Sequence, residues 1–211
     1  MTLQKPYYDH DGITIYHGDC RDVLPHLSGV DLVLTDPIYN RKMDYGPDVN
    51  DDRPRGEYVE WLKSWFALLP CEKRIIFPGV GNLWLWGDME PSAVACWYKP
   101  GNPARGGCFQ FVEWEPILFW GLSMGKSDVF RFPVTNQTGV GNHPCPKPLS
   151  LFQELIGRTK AQVVLDPFLG SGTTALAAKN LYKRAIGIEI NEQYCEIAVK
   201  RLAQEVLPFA I

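Results

Sequence analysis

The feature that most restricts the fold is a glycine turn placed late in the chain. Residues 163–175 read VVLDPFLGSGTTA, so an apolar run typical of a buried strand leads into Gly170-Ser171-Gly172 and then into a helical pattern. Glycines in such a turn let the backbone approach a ligand, and the helix that follows offers free N–H groups. Ala175 replaces a third glycine, a change that close helix–strand packing tolerates. The pattern predicts a nucleotide-binding turn.

An acidic residue lies where such a site needs one. The next predicted strand, Arg184–Ile188, ends at Glu189, where a carboxylate would meet ribose hydroxyls. No Lys-Ser or Lys-Thr pair closes the glycine turn, which argues against a phosphate-binding P-loop. The expected ligand therefore carries a ribose and no polyphosphate.

The position of the turn predicts a permuted fold. Only one strand and one helix follow it, whereas a doubly wound sheet needs about five or six strands, so most strands must precede residue 160. Apolar runs suited to strands lie at Ile13–Tyr16, Val30–Thr35, Arg74–Phe77, Ala93–Tyr98, Val112–Phe119, Val163–Leu165 and Ala185–Ile188. Helical patterns lie at Glu57–Leu69, Pro148–Gly157, Thr174–Leu181 and, behind Asn191 as N-cap, Glu192–Val206. We expect an α/β fold with a doubly wound, mostly parallel, Rossmann-like sheet that is circularly permuted and carries small loop insertions.

A second group of polar residues follows another predicted strand. Val30–Thr35 is followed by Asp36-Pro37-Ile38-Tyr39. A carboxylate, a proline and an aromatic at the carboxyl end of a parallel strand lie where α/β sheets build their sites. Alone, Asp-Pro more often marks a turn, but beside the glycine turn it indicates a catalytic site.

Composition limits the class of protein. Hydrophobic residues make up 45% and aromatic residues 12% of the chain, which supports a sizeable core. Neither a secretion signal nor an apolar run of the roughly 20 residues that a membrane span needs is present, so a soluble, cytoplasmic protein is expected. The net charge of −3 argues against a protein that coats nucleic acid through charge alone. The six cysteines form no Cys-x-x-Cys pair, so reduced thiols and no metal site are expected.

Five motifs resemble those of the DNA amino-methyltransferases, in the permuted class whose catalytic motif precedes the cofactor motif. They are Ile15–Cys20, Asp36–Tyr39, His143–Pro148, Asp166–Thr174 and Gly187–Leu202. Asp36-Pro37-Ile38-Tyr39 is similar to that family's Asp-Pro-Pro-Tyr, with Ile38 in place of the second proline. This departure predicts a less rigid catalytic loop, although the Pro37 carbonyl and both flanking side chains are kept.

The resemblance implies a methyl transfer from S-adenosylmethionine to an amino group in duplex DNA. Asp36 and the Pro37 carbonyl would accept hydrogen bonds from the amino group, and Tyr39 would stack on the flipped base. The implied cofactor contacts are Asp19, Asp36, Lys147, Asp166, Phe168, Gly170, Ser171, Gly172, Thr173 and Glu189. Aspartate at the start of the motif favours adenine N6, because relatives that modify cytosine N4 more often carry serine. Cytosine N4, an RNA or protein amide substrate, and an inactive cofactor- or DNA-binding homologue stay open as alternatives.

We expect one methyltransferase domain over residues 1–211, of the type found in restriction–modification systems. Its parts would be a catalytic half over about 1–120, a short loop or target-recognition region over about 121–142, and a cofactor-binding half over about 143–211. The resemblance also makes a homodimer plausible. Cys145 is not expected to be a nucleophile, and one of Trp84 and Trp86 is a candidate base contact. Candidate phosphate contacts in the irregular loops are Arg53, Arg55, Lys99, Arg105, Lys126 and Arg131.

Overall fold

The computed structural model of the chain describes residues 3–102, 108–134 and 147–204. Its strands are β1 (Tyr8–His10), β2 (Ile13–His17), β3 (Leu32–Thr35), β4 (Arg74–Ile76), β5 (Ala93–Tyr98), β6 (Trp114–Trp120), β7 (Val129–Arg131), β8 (Val163–Asp166) and β9 (Arg184–Glu189). They form a single sheet in the order β1-β2-β9-β8-β3-β4-β6-β5-β7. The last two of these strands in the sequence, β8 and β9, lie in the middle of the sheet, as the late glycine turn predicts.

The five central strands of the sheet are parallel, and the mixed pairing is confined to its two ends. Parallel pairs join β2 to β9, β9 to β8, β8 to β3 and β3 to β4. β1 is antiparallel to β2, and β6 is antiparallel to both β4 and β5. The prediction of a mostly parallel α/β sheet is therefore confirmed.

Helices cover both faces of the sheet. They are α1 (Cys20–Val23), α2 (Arg55–Phe66), α3 (Leu149–Gly157), α4 (Thr173–Asn180) and α5 (Glu192–Ala203), with 3-10 segments at Leu24–His26 and Val80–Met89. One apolar cluster packs α3, α4 and α5 against the sheet, and a second cluster on the other face buries Leu62, Trp65 and Trp86. Asn191 caps α5 through a bond from the Gln193 amide, as predicted. No helix among the described residues is long and apolar enough to cross a membrane.

The main difference from the sequence prediction lies in residues 121–142, which were expected to be loop. Val129–Arg131 form β7, which pairs in parallel with β5. Only Phe130 of this strand is buried, and three residues are too few to show an alternating pattern. Residues 135–142 lie outside the described chain. Strands β1 and β7 and helix α1 were not predicted, because each has only three or four residues.

The sheet has a switch point between β8 and β3. From β8 the chain continues to β9 on one side, and from β3 it continues to β4 on the other. The two crossovers therefore diverge and leave a crevice beyond the carboxyl ends of β8 and β3, the position at which open α/β sheets bind ligands. Because β6 runs antiparallel to β4, its first residues lie at this same edge.

Candidate active site

The residues that follow β3 form a compact polar cluster. The Lys147 ammonium donates to Asp36 Oδ2 at 2.5 Å and to the Tyr39 hydroxyl at 3.1 Å, and Tyr39 in turn donates to the other oxygen of Asp36. Lys147 is nearly buried, whereas 25% of the Asp36 side chain is exposed. Burial raises the pKa of Asp36, and the Lys147 charge opposes that rise. Burial also raises the pKa of Tyr39, which keeps the phenol protonated and able to donate.

Two side-chain hydrogen bonds fix the main chain of this motif. The Tyr58 hydroxyl donates to the Ile38 carbonyl at 2.7 Å, and Asn82 Nδ2 donates to the Tyr39 carbonyl at 2.8 Å. These bonds hold the loop at and just after the position where the family has its second proline, and neither depends on the residue type at position 38, because both use carbonyl oxygens. Within the part of the chain that the structure describes, no group donates to the Pro37 carbonyl. That carbonyl is therefore available as an acceptor.

The polar loop after the motif is organised by a buried carboxylate. Asp51 is only 4% exposed, and it accepts bonds from the amides of Asn40, Arg41 and Met43. Farther along the loop, the Tyr45 carbonyl accepts a bond from Asn191 Nδ2 at 2.7 Å. The loop therefore reaches from the end of β3 past β8 to the end of β9.

Asp166 joins the two halves of the crevice. One oxygen of its buried carboxylate accepts a 2.6 Å bond from the Thr35 hydroxyl and a 3.0 Å bond from the Phe168 amide. The other oxygen accepts a 2.5 Å bond from the Thr174 hydroxyl at the start of α4. Burial raises the pKa of Asp166 to about 6. The cofactor contact at Asp166 stays a prediction, and its bonds show that Asp166 also positions the Asp36 loop and the glycine turn.

Residues of α5 pack against the glycine turn that follows β8 and donate hydrogen bonds to it. Gly170 and Gly172 both have positive φ, and a Cβ on Gly172 would lie 2.8 Å from Cβ of Ala198. The buried Arg201 guanidinium donates to the Ser171 carbonyl at 2.5 Å and to its hydroxyl at 3.0 Å, and lies 3.4 Å from the Thr173 hydroxyl. These contacts fix the turn at the N-terminus of α4, where the first amides of a helix lack partners within the helix.

Two carboxylates lie at the ends of neighbouring strands on the other side of this turn. Asp19 follows β2, where it caps α1 and pairs with Arg21 at 2.5 Å. Glu189 ends β9 and accepts bonds from the amides of Gly170 at 2.7 Å and Asn191 at 2.8 Å. Burial raises the pKa of Glu189 to about 7. Beside them Phe168 is half-buried, its ring centroid 4.9 Å from that of Trp65.

The structure brings most of the predicted site residues to one edge of the sheet. The catalytic group lies after β3, and the predicted cofactor group lies after β2, β8 and β9. Lys147 is near Asp36, whereas the remainder of its motif, residues 143–146, lies outside the described chain.

The predicted phosphate contact at Lys99 is wrong. Lys99 is 5% exposed and pairs with Glu115 at 2.9 Å, so it has no access to a DNA backbone. Arg55, Lys126 and Arg131 are exposed, Arg53 is partly buried beside Trp61, and Arg105 lies outside the described residues. Of the two tryptophans, Trp84 is 83% exposed and Trp86 is buried.

Sequence reasoning missed four residues that shape the site, namely Asp51, Asn82, Glu115 and Arg201. Asp51 and Asn82 lie in segments with no motif, and their partners are main-chain atoms that a sequence does not reveal. Arg201 has the pattern of a surface residue at the end of a helix. Glu115 carries the clearest signal, since it is one of two glutamates, with Glu113, inside the apolar run of residues 112–119.

Comparison with known proteins agrees with this geometry. The DNA methylase family of the N6/N4 type matches residues 80–200. The chain is 26% identical to the Type II methyltransferase M2.MboI of Moraxella bovis, over 97% of this chain and 93% of that protein. It is 39% identical to the Type II methyltransferase M.HinfI of Haemophilus influenzae, over 92% of this chain and 69% of that protein.

Solved structures give the same result. The complex of M1.HpyAVI with SAM has a TM-score of 0.66 and 25% identity, over 90% of this chain and 99% of that chain. The PvuII DNA methyltransferase, described as cytosine-N4-specific, has a TM-score of 0.75 over 97% of this chain and 91% of that chain. At 18% identity, the PvuII likeness concerns the fold alone. The family match covers more than half of the chain, and the chain therefore belongs to the N6/N4 family of DNA methylases.

Proposed function

We propose that the chain transfers a methyl group from S-adenosylmethionine to the N6 amino group of adenine in duplex DNA. The observation that carries this proposal is the Asp36 cluster, which lies at the switch point beside a glycine turn suited to a nucleoside. Asp36 and the Pro37 carbonyl supply two acceptors on one short loop. An exocyclic amino group has two N–H donors, which matches this pair.

The residues after β2, β8 and β9 fit S-adenosylmethionine. Asp19 and Glu189 are carboxylates suited to the adenine amino group and the ribose hydroxyls, and the raised pKa of Glu189 is typical of an acceptor shielded from water. The amides at the start of α4 suit the methionine carboxylate. Phe168 offers an apolar ring beside them. When bound, the cofactor supplies an electrophilic methyl group, whose bond to sulfur breaks as the new N–C bond forms.

The catalytic residues act by position and charge. The amino nitrogen of adenine is nearly planar and a poor nucleophile, because its lone pair is spread into the ring. Hydrogen bonds to Asp36 and to the Pro37 carbonyl favour a tetrahedral nitrogen and direct its lone pair toward the methyl group. As the nitrogen becomes positive, Asp36 Oδ stabilises it and is placed to accept the proton that it must lose. Tyr39 stacks on the base after it leaves the duplex.

Adenine is the favoured base because the motif starts with aspartate. The same geometry serves cytosine N4, so the base has to be identified chemically. Homodimer formation stays a prediction, and the mass of the protein in solution tests it.

The test is a nucleoside analysis of unmethylated duplex DNA incubated with the protein and S-adenosylmethionine. We expect N6-methyladenine from the wild type and at least about a hundredfold less from Asp36→Asn, which keeps the shape but loses the charge. Asp88→Ala serves as a matched control, because the Asp88 side chain is 78% exposed on the 3-10 segment and should leave activity unchanged. Detection of N4-methylcytosine in place of N6-methyladenine would identify cytosine N4 as the target. No methylated base, with cofactor binding confirmed by calorimetry, would contradict the proposal.

A further inference from the structure

The Asp36 cluster continues into a row of four alternating charges. Lys147 Nζ lies 2.5 Å from Asp36 and 3.7 Å from Glu115 Oε2, and Lys99 Nζ lies 2.9 Å from Glu115 Oε1. Glu115 is the second residue of β6, and Lys99 directly follows β5. Both lie at the same edge of the sheet as the end of β3. The row therefore connects the Asp36 carboxylate to a part of the sheet that holds none of the predicted catalytic or cofactor-binding residues.

Glu115 presents a carboxylate oxygen that lacks a donor. Lys99 fixes Oε1, but Oε2 is buried and accepts no hydrogen bond from residues 3–102, 108–134 or 147–204. Burial would raise the pKa of Glu115, but the charges of Lys147 and Lys99 outweigh it and lower that pKa, so the oxygen is ionised. Buried acceptors without a hydrogen-bond donor are rare and destabilising, so this oxygen favours the approach of a donor.

The proposed chemistry requires the Lys147 ammonium to leave Asp36. The ammonium contacts the same carboxylate that must accept the amino group of the target base. A positive charge at that place also disfavours a nitrogen that becomes positive as its bond to carbon forms. Among the residues that the structure describes, the groups facing Lys147 include Asp36, Tyr39 and Glu115, together with the rings of Phe77 and Trp97 at 5.4 and 5.9 Å.

We propose that Glu115 is a positioning residue that receives the Lys147 ammonium when the amino group of the target base binds Asp36. A movement of about 1 Å would turn the 3.7 Å separation into a charge-assisted hydrogen bond. The rings of Tyr39, Phe77 and Trp97 surround the ammonium and stabilise it throughout this movement. Lys99 keeps Glu115 in place. The inference rests on the proposed function of Asp36, and it assigns to β6 a residue that controls the charge of the site.

The kinetic test compares Glu115→Gln with Glu113→Gln, a matched change at an exposed glutamate two residues earlier. With saturating DNA and S-adenosylmethionine, we expect Glu115→Gln to lower kcat about tenfold at neutral pH, because the cation stays on Asp36. Glu115→Gln should bind S-adenosylmethionine with the wild-type affinity, and Glu113→Gln should keep the wild-type kcat.

A second variant separates this role from simple structural support. In a Lys147→Met background Glu115 has no ammonium to bind. Adding Glu115→Gln to that background should therefore change kcat less than about twofold. An equal loss of kcat in both backgrounds would overturn the inference. An unchanged kcat in Glu115→Gln alone would also overturn it and would leave the carboxylate of the cofactor as the partner of Lys147.

A stability measurement tests the same movement without turnover. Asp36→Asn removes the charge that holds Lys147, so the ammonium should move to Glu115 in the unliganded protein. Glu115→Gln should then lower Tm by about 4 °C more in the Asp36→Asn background than in the wild type. An equal loss of Tm in both backgrounds would contradict the inference even if no methylated base is ever found. Failure of the nucleoside assay alone would contradict only the proposed function.

Discussion

The Thr35 hydroxyl donates a 2.6 Å hydrogen bond to the Asp166 carboxylate, which joins the last residue of β3 to the last residue of β8. Thr35 immediately precedes Asp36, and Asp166 precedes the glycine turn, so this bond connects the Asp36 loop directly to the glycine turn. Both side chains are almost fully buried. This buried hydrogen bond therefore extends the pairing of β3 with β8 to the ends of both strands, across the switch point.

Thr35→Val should test this connection with little change in shape. The substitution removes one hydrogen-bond donor from the buried Asp166 carboxylate, which should lower the free energy of unfolding by about 1–3 kcal/mol. We also expect kcat to fall, because Asp36 loses its fixed distance from the glycine turn. Urea denaturation and single-turnover kinetics measure the two effects. Thr14→Val is the control, since the Thr14 hydroxyl bonds to Asp9 at an exposed position on β2.

Gly79 makes room for the ring of Tyr39. Its φ is +70°, and a Cβ there would lie 3.0 Å from Tyr39 Cγ. Gly79→Ala should displace Tyr39 and lower kcat about tenfold or more, with little change in the affinity for S-adenosylmethionine. Gly87→Ala, in the 3-10 segment that follows, meets no atom within 4 Å and provides the control. Equal kinetics in the two variants would show that the position of Tyr39 does not limit the reaction.

Arg201 should govern cofactor binding without touching the base. The Arg201 guanidinium bonds to Ser171 and contacts Thr173. Arg201→Met should therefore loosen the glycine turn and raise the Kd for S-adenosylmethionine about tenfold. Calorimetry measures this change. Lys200→Met, at a neighbouring side chain that is 75% exposed, should leave the Kd unchanged. If both variants bind the cofactor like the wild type, the turn does not need Arg201.

Trp84 and Trp86 should have opposite roles. Trp84 is 83% exposed two residues after Asn82, which bonds to the Tyr39 carbonyl, so we expect it to stack on an unpaired base. Trp84→Ala should weaken DNA binding about tenfold without lowering stability. Trp86 is fully buried, and Trp86→Ala should lower the free energy of unfolding by about 3–5 kcal/mol. Fluorescence titration with DNA and thermal unfolding separate the two; unchanged DNA affinity in Trp84→Ala would exclude this contact.

The elements that the sequence predicted well are those whose burial follows a regular pattern. β5 was predicted with its observed bounds, and α3, α4, β8 and β9 within one residue, because their apolar residues face a continuous core. The positions of Asp36 and Glu189 at strand ends followed from the same patterns.

The parts of the site that the sequence did not predict depend on contacts across the sheet. Lys99 lies in a segment rich in glycine and polar residues, so its charge indicated a surface, yet pairing of β5 with β6 buries it against Glu115. Asp51 was one acid among several in a polar loop, and only the folded loop selects it to bind three amides. Local patterns do not specify such partners, because they depend on the order of strands in the sheet.

The raised pKa of Glu189 predicts how the free energy of unfolding depends on pH. Burial raises this pKa from 4.5 to about 7, so between these values the folded protein holds a proton that the unfolded chain has released. The stabilising contribution is complete below 4.5 and is lost as the pH rises to about 7, and it amounts to at most about 3 kcal/mol. Glu189→Gln should therefore reduce the fall in unfolding free energy over this interval, whereas Glu60→Gln, at an exposed glutamate, should not.

Cofactor binding should depend on pH in the opposite direction, because ionised Glu189 is the stronger acceptor for ribose hydroxyls. The affinity for S-adenosylmethionine should rise as Glu189 loses its proton near pH 7, and the bound cofactor should in turn lower the pKa of Glu189. Denaturant unfolding and calorimetry at matched pH values measure both slopes. If neither the unfolding free energy falls nor the affinity rises through this interval, then Glu189 is already ionised in the unliganded protein and its bonds to Gly170 and Asn191 outweigh its burial.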